Sequence, residues 1–150
     1  ASNADSTLQV IHTDPRRPGQ MNILCDTHVL LWFLDGQTRR FPAETLGLLM
    51  DEGNTLHYSD ASIWEIAIKF KQKRPDFPYD PQHTVDALND QEFSQVPIRL
   101  RHILETMKLP AVHGDPFDRL LLAQARADGF LLLTADRRIL QYQDVLVRAV

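Results

Sequence analysis

Four acidic residues in separate parts of the chain could together do metal chemistry. They are Asp26, Glu65, Asp118 and Asp136. Asp118 is the most informative, because its helical neighbours at i+3, i+4 and i+7 are apolar and an ionised carboxylate on such a face needs a partner such as a cation. Carboxylates held close together repel one another, and a divalent cation with oxygen ligands relieves that repulsion. If the four side chains meet, they predict a site for a hard divalent cation.

Each acid also has a local explanation that needs no metal. Asp26 and Asp136 each precede a predicted helix and could act as its N-cap. Glu65 could take part in capping or pair with Lys69 at i+4. Asp118 could simply complement the dipole of the helix that it opens. Taken one at a time, the acids leave these alternatives open.

Alternating strands and helices must position these side chains. Short apolar segments predict strands at 22–26, 55–59, 94–97, 130–134 and 145–150. Helices are predicted at 27–34, 42–52, 60–73, 83–92, 98–108, 115–128 and 135–141. This alternation favours an α/β fold with a central, mainly parallel sheet of four to five strands, flanked by helices on both faces. Ligand sites in such sheets form at the carboxyl ends of the strands, where we expect the four acids to converge.

Composition narrows the class of protein. The chain has 150 residues, 43% of them hydrophobic and 24% charged, which is typical of one globular domain. Its net charge of −4 opposes binding to nucleic acid by overall charge, so local basic groups or bound cations would have to overcome it. A single cysteine and the lack of a long apolar run favour a cytoplasmic protein with no membrane contact. Residues 1–20 are typical of a tag or linker, and residues 21–150 of the folded domain.

Four segments carry a resemblance to a known family. They are LCDTHVLLWFL (24–34), YSDASIWEIAIKFK (58–71), DPFDRLLLAQARADG (115–129) and LLLTADRRI (131–139). Together they resemble the PIN-domain nucleases, and most closely the VapC-type toxins of toxin–antitoxin pairs. The resemblance implies a PIN-like three-layer sandwich over residues 21–150. One departure concerns the loop near 72–82, because KQKRPDFP stands where a glycine-containing turn is expected after EIAIKFK.

The resemblance also assigns roles to residues. It implies that Asp26 and Asp136 are metal ligands, that Asp118 completes the site, and that Glu65 binds a second metal or orients the attacking water. All four would then be catalytic. Supporting roles fall on the neighbouring hydroxyl and acidic residues, Thr27, Ser59, Asp115 and Thr134.

The activity implied by the resemblance is that of a metal-dependent endoribonuclease, the toxin of a toxin–antitoxin pair. It would hydrolyse RNA phosphodiesters with Mg²⁺ or Mn²⁺ and an activated water. The implied partners are RNA, a cognate antitoxin protein and a second copy of the chain. Basic residues that could contact RNA are Lys69, Lys71, Lys73, Arg74, Arg119 and Arg137. Cys25 lies in the middle of a predicted strand, where we expect a small buried residue. The sequence therefore shows no covalent nucleophile.

Two other functions remain open from the sequence alone. One is a catalytically silent PIN-like module that binds RNA or protein, against which the four intact acids count. The other is a different metal-dependent α/β phosphohydrolase, such as a phosphatase. A phosphatase with an aspartyl nucleophile would favour a DxD motif after the first strand, and Asp26-Thr27-His28 does not supply one.

Overall fold

The computed structural model of the protein describes residues 20–110, 114–136 and 147–149. Its strands are Asn22–Cys25 (β1), Thr55–Ser59 (β2), Ser94–Val96 (β3), Leu131–Thr134 (β4) and Val147–Ala149 (β5). Its α-helices are Thr27–Leu34 (α1), Ala43–Met50 (α2), Asp60–Lys71 (α3), Pro81–Asp90 (α4), Leu100–Thr106 (α5) and Pro116–Asp128 (α6). A short 3₁₀ turn, Thr38–Arg40, joins α1 to α2.

The five strands form one parallel sheet in the order β3-β2-β1-β4-β5. The chain builds outward from β1 through β2 to β3, then returns to the other side of β1 to add β4 and β5. The direction of strand order therefore reverses between β1 and β4. Ligands of open α/β sheets bind beside such a point, at the carboxyl ends of the strands. Asp26 follows β1 and Asp136 lies two residues beyond the end of β4, so both stand there.

Two apolar cores cover the two faces of the sheet. Successive side chains of a strand point to opposite faces, so Ile23 and Cys25 of β1 enter one core while Leu24 enters the other. The first core is formed with α1, α2 and α4. The second is formed mainly with α6 and includes Ala61 of α3. The three-layer sandwich with a parallel central sheet, and the buried position of Cys25, are therefore as the sequence predicts.

Capping residues decide where the helices begin and end. Asp26 is the N-cap of α1, and Asp115 is the N-cap of α6, with Pro116 in the first helical position. Gly129 ends α6 in the left-handed conformation, with φ of 72°. Helix α4 begins two residues earlier than predicted, because Asp80 caps it and proline is well tolerated in a first turn.

The turn after α3 is made without the expected glycine. Lys73 itself adopts a left-handed φ of 55°, and its N–H donates to the carbonyl of Phe70 at 3.0 Å. This is the conformation for which glycine is usually needed after a helix, and a residue with a Cβ adopts it at some cost. A turn is therefore present near residues 72–82, with Lys73 in the left-handed conformation that glycine usually adopts.

Some predictions fall wholly or partly outside the described residues. Of the tail over residues 1–20, only Gln20 is described. Of the helix predicted at 135–141, only Ala135 and Asp136 are described, and neither is helical. None of the helices within the described ranges is long and apolar enough to cross a membrane.

Candidate active site

A pocket of about 330 Å³ opens at the carboxyl end of the sheet. All four predicted acids line it, namely Asp26, Glu65, Asp118 and Asp136. They arrive from four elements: the end of β1, helix α3, helix α6 and the segment after β4. The convergence expected from the strand ends is therefore confirmed.

Asp26 is buried in the pocket, with 4% of its surface exposed. Its Oδ1 accepts the N–H of Val29 at 3.0 Å, and its Oδ2 accepts the N–H of Ala135 at 3.0 Å and the hydroxyl of Thr134. Burial raises the pKa of the Asp26 carboxyl, and these hydrogen bonds oppose that rise. The Asp26 carboxylate thus caps α1 and lines the pocket at the same time.

Thr134 connects the ends of β1 and β4. Its hydroxyl donates to Asp26 and accepts the N–H of Asp136 at 2.9 Å. Thr134 therefore fixes the carboxylate of Asp26 and the main chain of Asp136 relative to each other, from the supporting position expected for it.

Glu65 is held by two partners. Its Oε1 accepts the hydroxyl of Thr27 at 2.7 Å, and its Oε2 lies 3.2 Å from the ammonium of Lys69. The i+4 ion pair considered from the sequence is therefore present, and it lies inside the pocket. Capping does not explain Glu65, because the N-cap of α3 is Ser59, whose hydroxyl accepts the N–H of Ala61 at 3.0 Å.

The first turn of α6 brings Asp118 to the pocket. Asp115 also lines the pocket, and its carboxylate accepts the N–H of Phe117 at 2.8 Å and of Asp118 at 3.3 Å. Phe117 packs edge-on against Trp64 of α3, with ring centroids 5.3 Å apart. The capping role predicted for Asp115 is confirmed, and through it Asp115 fixes the turn that carries Asp118.

Ser59 is joined to a residue that sequence reasoning missed. Its hydroxyl donates to Oε1 of Gln124 at 2.5 Å, and Gln124 is fully buried on α6. This hydrogen bond links the start of α3, which carries Glu65, to the helix that carries Asp118. The available signal was a single polar residue in the otherwise apolar run LLLAQA.

The basic residues expected to contact RNA do not all line the pocket. Lys69 and Arg74 line the pocket, whereas Lys71 and Lys73 are exposed nearby. Arg119 donates from its guanidinium to the carbonyls of Thr106 at 2.9 Å and Pro110 at 3.0 Å, which ties α6 to the end of α5. Arg137 lies outside the described residues.

The donor set suits a hard divalent cation, because carboxylate and hydroxyl oxygens are the ligands that Mg²⁺ and Mn²⁺ prefer. As the described side chains stand, however, no three His, Cys, Asp or Glu residues among them could hold one ion in common. The contacts of Asp26 and Glu65 suggest why, since their oxygens are drawn to protein donors. The chemistry of the pocket therefore fits such an ion, and the side chains would have to adjust to close around it.

Residues 23–145 match the PIN domain family. This match covers most of the chain, and the strand order and converging acids described above agree with it. The chain belongs to the PIN domain family. No protein with curated annotation matches it in sequence.

Three solved structures illustrate the proteins that share this fold. A chain of VapBC2 from Rickettsia felis, bound to a DNA fragment from their promoter, is 12% identical with a TM-score of 0.63, covering 86% of this chain and 98% of its own. A chain of VapBC-1 from nontypeable Haemophilus influenzae is 15% identical with a TM-score of 0.61 and the same coverage of both chains. A toxin–antitoxin complex from Klebsiella pneumoniae gives 16% identity and a TM-score of 0.55, covering 84% of this chain and 95% of its own. At these identities the likeness establishes the fold.

Proposed function

We propose that this PIN domain is a metal-dependent endoribonuclease, the toxin of a toxin–antitoxin pair. The observation that carries the proposal is the meeting of Asp26, Glu65, Asp118 and Asp136 in one pocket where the strand order reverses. Solved toxin–antitoxin complexes with this fold support the toxin assignment.

The acids at the ends of β1 and β4 and at the start of α6 would hold Mg²⁺ or Mn²⁺. The bound ion supplies a more acidic water and neutralises charge that builds on a phosphodiester. Thr134 fixes the orientation of Asp26, and Asp115 fixes the turn that presents Asp118. Lys69 and Arg74, on the pocket wall, attract the phosphate backbone of the substrate.

The attacking nucleophile in this proposal is water. Cys25 is fully buried in the core, and burial raises the pKa of its thiol, so it is not an available thiolate. The hydroxyl of Thr27 is engaged with Glu65. Attack by water leaves a 5′-phosphate and a 3′-hydroxyl, and the 2′-hydroxyl of the RNA takes no part.

Partners follow from the proposal as well. An antitoxin would cover the apolar part of α1, where Trp32, Phe33 and Leu34 are only partly buried. A homodimer would bury exposed apolar side chains. Four of these lie on α5 or directly after it, namely Leu100, Ile103, Leu104 and Met107. With RNA as substrate, we expect the protein to act in the cytoplasm.

The test is cleavage of total RNA by the purified protein, with Mg²⁺ or with EDTA. We expect cleavage with Mg²⁺ only, and a loss of about a hundredfold or more in Asp118→Asn, which corresponds to about 3 kcal/mol in the barrier. The matched control is Asp90→Asn at an exposed position of α4, which removes the same charge outside the pocket and should leave the rate unchanged.

Three results would contradict the proposal. Cyclic phosphate ends would show that the 2′-hydroxyl attacks. Equal rates for the wild type and Asp118→Asn would remove the pocket from the reaction. Binding of RNA with no cleavage under any metal would favour the catalytically silent module.

A further inference from the structure

The ion pair between Glu65 and Lys69 is unlike a solvent-exposed helix pair. The two side chains are 18% and 27% exposed, and both line the pocket. The pair of Arg74 with Asp76, at the mouth of the same region, has side chains that are 49% and 71% exposed. Screening by water is therefore weaker for Glu65 and Lys69, and the ammonium neutralises the carboxylate more completely.

Lys69 is also held from a second side. Its Nζ lies 5.5 Å from the ring centroid of Phe77, within the range of a cation–π contact. Phe77 is buried, and its N–H donates to the carbonyl of Arg74 at 3.1 Å. The chain turns at Lys73, which has a left-handed φ, before it reaches Phe77 beside the ammonium of Lys69. Two contacts thus position the ammonium beside Glu65.

Asp26 on the other wall of the pocket is held differently. Its hydrogen bonds come from two main-chain N–H groups and the hydroxyl of Thr134, all of them uncharged. Such donors orient the carboxylate without placing a positive charge in hydrogen-bond contact with it. Glu65, by contrast, already has a positive charge 3.2 Å away.

We propose that Lys69 occupies the cation position beside Glu65, so that the pocket binds one divalent ion per chain, on the side of Asp26, Asp118 and Asp136. A second divalent ion at Glu65 would have to displace the ammonium from between the carboxylate and Phe77. It would also face a fixed positive charge if Lys69 stayed close by. This inference rests on the proposed function, because it presupposes that the three aspartates bind a divalent cation.

The number of bound Mn²⁺ ions tests the proposal, measured by calorimetric titration and by electron paramagnetic resonance of free Mn²⁺. We expect one ion per chain in the wild type and also in Glu65→Gln. Lys69→Met keeps the apolar stem and removes the charge, so we expect it to bind a second ion. That second ion should be lost again in the double variant Lys69→Met/Glu65→Gln.

Two controls separate a specific role from a general change of charge. Lys71→Met removes an exposed lysine at the end of the same helix and should still bind one ion. Lys69→Arg keeps the positive charge and should also bind one. Circular dichroism of each variant confirms that it is folded.

The outcomes distinguish this inference from the proposed function. Two Mn²⁺ ions in the wild type, or one ion in folded Lys69→Met, would overturn the role of Lys69 and leave the metal-dependent nuclease standing. No Mn²⁺ binding by the wild type would overturn both.

Discussion

The two ends of helix α6 carry polar clusters of opposite character. At its C-terminal end, His102 accepts the N–H of Arg99 on Nδ1 at 3.0 Å, so its Nε2 carries the proton and donates to Asp128 at 3.1 Å. Asp128 also pairs with Arg101 at 2.8 Å, so its negative charge has a positive partner. At the N-terminal end, the described residues that line the pocket include five carboxylates, one lysine, one arginine and one histidine.

This is the difference expected between a structural cluster and a binding site. Buried polar groups that satisfy one another stabilise one packing of the chain and need nothing from outside. Carboxylates in excess of the nearby positive charges cost free energy in the folded state, and an external cation recovers it. Burial of polar residues is common to both ends of α6, so it is the excess of carboxylates among the described residues of the pocket that favours a cation site there.

Gln124→Leu should give the largest loss of stability, because Gln124 is fully buried and its amide nitrogen lies 3.5 Å from Nδ1 of His102 in the structural cluster. The Ser59 hydroxyl loses its acceptor at 2.5 Å, and the carbonyl of Pro97 loses a donor at 3.4 Å. Each buried group left unsatisfied costs about 1–3 kcal/mol, so we expect a loss of about 3 kcal/mol in the free energy of unfolding by urea.

Arg101→Ala is the matched control for that variant. Its side chain is 58% exposed, and the pair with Asp128 is open to water. We expect a loss below about 1 kcal/mol. Equal losses in the two variants would contradict the distinction between a buried network and a solvent-exposed ion pair.

The sequence predicts the fold well because its signals are local. The apolar runs of β1 and β4, the N-caps Asp26 and Asp115 and the C-cap Gly129 each act within a few residues. Because the carboxyl ends of parallel strands lie at the same edge of a sheet, acids that follow different strands meet at that edge. The fold and the composition of the pocket follow from these two steps.

The contacts that tune the pocket depend on how distant elements approach each other. Gln124 meets Ser59 only because α6 packs beside the start of α3. Lys69 lies beside Phe77 after the chain has turned at Lys73. Local sequence patterns do not encode these contacts. The sequence therefore indicates which residue types are present, but not which side chains contact each other.

A second prediction uses His57, whose ring stacks on Phe130 just beyond the C-terminal end of α6, with centroids 4.4 Å apart. Burial lowers its pKa to about 4, partly opposed by attraction to Asp128. Below pH 6.5 the unfolded chain therefore binds a proton that the folded chain does not. This contribution to stability is complete above pH 6.5 and is lost as the pH falls towards 4, by about 2 kcal/mol between pH 7.5 and 4.5.

Urea unfolding of the wild type and of His57→Gln at both pH values measures this contribution. The carboxylates titrate in both proteins, so the difference between the two isolates the histidine. We expect the stability advantage of the wild type to shrink by about 2 kcal/mol at the lower pH. An advantage that stays constant with pH would show that His57 is not kept neutral by its surroundings.

The last effect that we predict is stabilisation by metal, which belongs to the pocket alone. A ligand that binds only the folded state adds RT ln(1 + [L]/Kd), or about 1.4 kcal/mol when free Mg²⁺ is ten times its Kd. Asp118→Asn should lose most of this gain in Tm, whereas Gln124→Leu, although less stable, should keep it, because its change lies outside the lining of the pocket. If Mg²⁺ raised the Tm of the wild type and Asp118→Asn alike, the ion would be acting elsewhere on the chain. The excess of acids at the N-terminal end of α6 would then have to be explained without a cation.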